Sequence, residues 1–168
     1  MRPKNGFSLI ELLIVVAIIL VIAAFAIPSL SRARIAANET AAAVALRSIN
    51  VAEATFVCTY SSGFSENLRR LGPPASGPAT VAAADLLDPV LSSNADGNTG
   101  PSSFARKGYM FLYTPTGSST TFGWIFQYQL NADPQTRNST GRRSFYSDQA
   151  MIVRANASAE ATASDNPI

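Results

Sequence analysis

Histidine is absent from the 168 residues, and cysteine occurs once, at Cys58. Without histidine there is no imidazole base and no imidazole metal ligand, which removes most nucleophile–base triads and most zinc sites. A lone cysteine closes no disulfide within the chain. Cys58 is therefore expected to be a small buried hydrophobe at the end of a helix, with an intersubunit disulfide as the lesser alternative. Charge is scarce as well: 14% of residues are charged and 47% are hydrophobic. The 13 basic and 11 acidic residues leave a net charge of +2, which carries no strong nucleic-acid signal. No glycine-rich phosphate loop follows a strand, and no acids outside the N-terminal apolar run stand out as a working pair. No enzymatic activity, cofactor or metal site is expected. The low charge suits a protein that buries much of its surface in an assembly.

What is present is one long apolar run. From Phe7 to Ile27 every residue is apolar or small except Ser8 and Glu11. As a helix this run rises about 31 Å, close to one bilayer hydrocarbon core. Arg2 and Lys4 precede it and few charges follow it closely. That asymmetry predicts a single pass with the N-terminus in the cytoplasm and the remainder on the far side. Glu11 does not fit a plain anchor. A carboxylate in hydrocarbon costs about 2.5 kcal/mol or more unless paired, so its default reading is functional. The obvious partner is a positive group on a neighbouring copy, such as a freed N-terminal amine. Were the chain cut after Gly6, Phe7 would carry that amine.

A short basic leader ending in Gly6, followed by FSLIELLIVVAIILVIAAFAIP, resembles the class III signal of type IV pilins and type II secretion pseudopilins. The likeness is close over residues 1 to about 30 and looser to about 60. Gly6, Phe7, Glu11 and Pro28 fall where that family's pattern wants them. The resemblance implies cleavage between Gly6 and Phe7 by prepilin peptidase, and N-methylation of Phe7. It implies assembly, through an inner-membrane platform, into a filament of many copies with minor pilins, and residence in the lipid bilayer before assembly. It also implies that Glu11 pairs with the Phe7 amine of the adjacent subunit. The end product is then a pilus at the cell surface or a periplasmic pseudopilus. Many members staple the C-terminal region with a disulfide, a pattern from which this chain departs.

Two other readings of the apolar run stay open. One is a secretory signal peptide in which Ala24-Phe25-Ala26 is the cleavage site, giving a secreted binding domain. An acid in the apolar region and the length of the run count against it. The other is a plain single-pass anchor, for which Glu11 and the Gly6-Phe7 junction are accidents.

Along the chain, Pro28 predicts a kink or local loosening, or else a helix end at Ile27 with a fresh start at Ser29. Residues 29–60 read as the second half of a long helix. Ala42, Ala45, Leu46, Ile49, Ala52, Phe56 and Tyr60 form one apolar stripe, opposite Ala41, Val44, Ser48, Val51 and Thr55. Between Ala41 and Tyr60 the charges are Arg47 and Glu53. Residues 61–108 read as a variable connecting region with a short helix from Val81 to Leu91 carrying Asp85 and Asp88. Asn94-Ala95-Asp96-Gly97-Asn98 is similar to part of a calcium loop, but no acid closes it, and a simple turn is expected.

The last third reads as strands. Tyr109, Phe111 and Tyr113 alternate with Met110 and Leu112 until Thr114-Pro115-Thr116-Gly117 ends the run. Phe122, Trp124, Phe126, Tyr128 and Leu130 share one face of the next strand. Ser144–Ser147 and Met151–Arg154 complete about four strands over residues 109–154, and residues 155–168 read as a loose tail. The aromatics read as core rather than as a stacking platform, which would need a basic groove. The sequons at Asn38, Asn138 and Asn156 read as chance. The expected architecture is α+β: a leader (1–6), a membrane helix (7–28) and its continuation (29–60) packed on a small antiparallel sheet, the pilin fold.

Overall fold

The structure, a computed structural model, describes residues 8–92, 102–119 and 123–168. Gly6, Phe7, the Asn94–Asn98 stretch and Phe122 lie outside the described residues. The chain divides between Arg34 and Ile35 into two compact units. One helix, α1 (Leu9–Tyr60), contributes to both.

In the first unit α1 is apolar on every side from Leu12 to Pro28. Its start follows Ser8, whose carbonyl accepts from the N–H groups of Glu11 at 3.1 Å and Leu12 at 3.2 Å. The most apolar stretch has a mean hydropathy of 3.2, and none of it is buried by the chain itself. Pro28 lies inside the helix without ending it, so a break at Ile27 does not occur. Lacking an N–H, Pro28 offers no hydrogen bond to the carbonyl four residues earlier.

In the second unit the apolar stripe of α1 is the floor of the core. Leu46 and Ile49 are fully buried and Phe56 nearly so, while Val44, Ser48, Val51 and Thr55 on the other side are exposed. The stripe is clustered with Tyr109, Phe111, Tyr113, Tyr128 and Leu130 from the sheet. Cys58 departs from expectation and is exposed. It stands two residues from both Phe56 and Tyr60, about 200° round the helix from the stripe.

The sheet is an antiparallel meander of six strands in chain order: β1 (Ser102–Arg106), β2 (Tyr109–Ser118), β3 (Ile125–Pro134), β4 (Ser144–Asp148), β5 (Arg154–Asn156) and β6 (Asn166–Pro167). Six strands correct the expected four. β1 lies within the expected connecting region because Ser-Ser-Phe-Ala-Arg carries little apolar alternation of its own. A two-residue turn, Lys107-Gly108, folds it onto β2. Both turn residues have positive φ, 46° and 76°, as a turn matched to strand twist requires. The register then sets Phe104 opposite Phe111, with rings stacked at 4.7 Å.

β2 also runs past its expected end, through Pro115 to Ser118. β1 pairs only as far as Tyr113, so Pro115 lies beyond the segment that β1 covers, where a missing donor is tolerated. On β3 the expected aromatic face is only partly buried. Tyr128 and Leu130 are in the core, but Trp124 and Phe126 are 40% and 51% exposed. Ile125 is buried instead, because the Gly63-Phe64 backbone lies against it and the Phe64 N–H donates to its carbonyl at 2.8 Å. The fourth expected strand moves from Met151–Arg154 to β5. The expected helix over Val81–Leu91 shrinks to α2 (Pro89–Ser92). Asp85 takes a φ of 54°, and Asp88, which precedes a proline, serves as the cap. Its carboxylate accepts from Val90 N at 2.8 Å and Leu91 N at 3.0 Å.

Candidate functional site

Of the expected site residues, Glu11 and Pro28 are among the described ones, and they are not gathered in a pocket. Glu11 is exposed in the first turn of α1, and Pro28 lies about 25 Å further along the same helix. Among the described residues, nothing buries the apolar shaft between them. Whatever Glu11 and this shaft do, they do against something other than their own fold. Burying such a shaft is favourable by roughly 25 cal/mol per Å² of apolar area, in lipid or against other helices.

The second unit presents its own outward helix face. A groove of about 530 Å³ runs between Thr40, Val44 and Ser48 of α1 and Asp88, Arg106 and Lys107. A second, of about 490 Å³, lies beyond Arg47 and Val51 against Met151, Ile152 and Ile168. Val51, Met151, Ile152 and Ile168 are exposed apolar side chains along this edge. Small and apolar residues line the α1 side of both grooves, facing Asp88, Arg106 and Lys107 in the first and Met151, Ile152 and Ile168 in the second. Among the described residues, no group of three or more histidine, cysteine, aspartate or glutamate side chains comes together.

On the buried side of α1 lies a row of polar anchors. Asn38 donates to the Thr140 carbonyl at 2.9 Å. Glu39 accepts from the N–H groups of Arg142 and Arg143 at 2.9 and 3.2 Å and from the Arg143 guanidinium at 2.8 Å. Burial alone would raise the Glu39 carboxyl, but these donors together hold it below the usual range. Asn50 donates to the Ser147 hydroxyl at 2.7 Å and accepts from the Tyr128 hydroxyl at 3.0 Å. Glu53 is fully buried and accepts from Ser65 N at 2.9 Å and Ser65 Oγ at 2.5 Å. Burial pushes its carboxyl up, and the Ser65 and Tyr113 hydrogen bonds offset only part of that. The same burial raises the hydroxyls of Tyr113 and Tyr128, with the nearby Glu53 charge adding to it.

Sequence reasoning passed over these anchors. The signal was positional: Asn50 follows Leu46 by four residues, and Glu53 follows Ile49 by four, so both fall on the buried stripe.

The end of the chain has its own fastening in place of a disulfide. The Arg137 guanidinium donates to the carbonyls of Arg142, Ala157 and Ala159 and to the Ser144 hydroxyl. Asn131 donates to the Ala161 carbonyl at 3.3 Å, and Ala161 is buried. Asp165 accepts from Asn156 Nδ2 at 2.9 Å, and its carbonyl accepts from Arg154 at 2.8 Å. The segment expected to be loose is therefore tied to the sheet at several points.

Comparison with known proteins adds to the geometry of the first unit. The model of the prokaryotic N-terminal methylation motif matches residues 1–27. The type IV wide pilus major component PilA4 of Thermus thermophilus is 60% identical over 40 residues, 24% of this chain and 30% of that protein. The likeness thus spans less than a third of the relative's length. No solved structure matches. On an α+β, pilin-like architecture the chain carries the prokaryotic N-terminal methylation motif, in an N-terminal segment similar to that of a type IV pilin.

Proposed function

We infer that this chain is a structural subunit of a type IV pilus, not an enzyme. It is made as an inner-membrane prepilin with its N-terminus in the cytoplasm. Prepilin peptidase cuts between Gly6 and Phe7, Phe7 is N-methylated, and the product polymerises through an assembly platform. The observation that carries this reading is the methylation motif at residues 1–27 on a helix whose first half buries nothing within its own chain. Such a helix needs lipid before assembly and other helices after it.

Glu11 then has a specific task. Its charge is costly in an apolar bundle and is relieved by the Phe7 amine of the adjacent copy, so each incoming subunit is registered against the last. Pro28 leaves the helix one hydrogen bond short and supplies a point where it can loosen on assembly. The outward face of α1 and its two grooves supply subunit contacts along the filament. The alternative reading, a pseudopilin of a periplasmic type II secretion filament, has less support, because the relative sharing the segment is a pilus component.

The deciding experiment is the mass of the N-terminal peptide from sheared surface filaments and from membranes. Methylated Phe7 at the start in sheared filaments supports the pilus. The same peptide confined to membranes points to a pseudopilin or minor subunit. A start at Ile27 in a soluble fraction overturns the reading.

A further inference from the structure

We propose that Arg32 and Arg34 bind the phosphates of anionic phospholipid at the bilayer boundary, and so set the depth of the unassembled subunit. The inference rests on the membrane-anchored state described above. Between Glu11 and Arg32 lie the twenty residues 12–31, none of them charged. All belong to α1, and at 1.5 Å per residue they rise about 30 Å, the thickness of the hydrocarbon layer. Seating this window in the bilayer brings every charge of the segment to a boundary: Glu11 to one, Arg32 and Arg34 to the other.

The competing seat, which begins at Phe7, leaves Glu11 about one turn inside the hydrocarbon. Sliding the helix by that turn hydrates the carboxylate. It returns Phe7, Ser8, Leu9 and Ile10 to the interface and takes in Pro28, Ser29, Leu30 and Ser31. In that seat no charge of the segment stays in hydrocarbon, and the relieved carboxylate is set against the apolar side chains exchanged.

Arg32 and Arg34 are both exposed, and among the described residues neither has an ion-pair partner. Arg70, Arg106 and Arg143, by contrast, are each held by a carboxylate of the chain. Two positions apart on a helix, Arg32 and Arg34 point to nearly opposite sides of the shaft, so they reach separate phosphates. A guanidinium fork matches phosphate geometry, and its aliphatic stem lies along the apolar boundary. The source of the phosphate is the lipid headgroup, because the neighbouring helix surface is itself apolar enough to sit in lipid.

The test uses the full chain carrying Trp124→Phe, which removes the only tryptophan, and Leu30→Trp as reporter. It is reconstituted in phosphatidylcholine vesicles containing phosphatidylglycerol, with one or the other lipid brominated. Phosphatidylglycerol is expected to be enriched about tenfold over phosphatidylcholine around the reporter. Adding Arg32→Gln and Arg34→Gln is expected to bring that ratio to one, while lysine at both positions keeps an enrichment. A ratio of one in the unsubstituted reporter chain, or an undiminished enrichment in the glutamine variant, overturns the inference while leaving the anchored state intact. Failure of the protein to float with the vesicles overturns both.

Discussion

The two halves of α1 share one backbone and opposite circumstances. Leu20 is 64% exposed and Leu46 is fully buried, although both are leucines in mid-helix. Among the described residues nothing buries the first half, so its apolar surface is a requirement placed on the surroundings. The second half meets that requirement internally, with a sheet on one side, and leaves only its small-residue side open. A helix of this kind carries two kinds of information in sequence. Uniform apolarity specifies an environment, and a stripe with buried polar positions specifies a particular neighbour.

The most direct way to break this comparison is to make the same truncation in both halves. Phe56→Ala removes a ring buried to 1% exposure and should cost the second unit about 3–5 kcal/mol in urea unfolding. Phe25→Ala, at a site 77% exposed, should leave that unfolding within about 0.5 kcal/mol of the parent. Near-UV circular dichroism in detergent, where the tyrosines report the core, reads both. Equal effects would mean that the first half is packed by its own chain after all.

A smaller loss is expected at Asn50. Asn50→Ala leaves the Tyr128 hydroxyl without its acceptor and removes the Ser147 contact in a fully buried setting, at a cost of about 1–3 kcal/mol. Gly141→Ala belongs in the same range for a different reason. A Cβ there would overlap the Tyr109 ring, whose hydroxyl donates to the Arg143 carbonyl at 2.7 Å. Relief requires displacing a buried tyrosine or the loop beneath it, about 1–3 kcal/mol of overpacking. Unfolding midpoints for the two variants check both values.

How far this architecture was legible follows from the same contrast. The apolar stripe of α1 and the alternation of Tyr109, Phe111 and Tyr113 were readable because burial repeats at the period of the element. β1 was not, because its place is dictated by the Lys107-Gly108 turn and its partner rather than by its own residues. Trp124 and Phe126 were misplaced because alternation gives the face of a strand but not where the helix stops covering it. Asn50 and Glu53 carried a local signal, their place on the buried stripe, but the loop and strand atoms that satisfy them and Glu39 are set by tertiary pairing and not by the helix pattern. The proposed assembly residue Glu11 was readable for the opposite reason: a charge in a uniformly apolar run needs no tertiary information to stand out.

The finest division lies within the second half, between two acids on the buried side of α1. Glu39 has its carboxyl lowered, so its stabilising contribution is present above the ordinary carboxylate range and is lost as pH falls through its folded value. Glu53 has its carboxyl raised, so its contribution is fully present below the ordinary range and is lost as pH rises through its folded value. Glu39→Gln should therefore flatten the acid limb of stability against pH. Its cost at neutral pH should be only about 1 kcal/mol, since its partner Arg143 is 44% exposed and screened. Glu53→Gln should leave the acid limb alone and flatten the decline above it, because the amide has no proton to lose on burial. Urea unfolding at a series of pH values separates the two. If both variants altered the same limb, the opposed environments described here, one donor-rich and one desolvated, would be wrong for one of them.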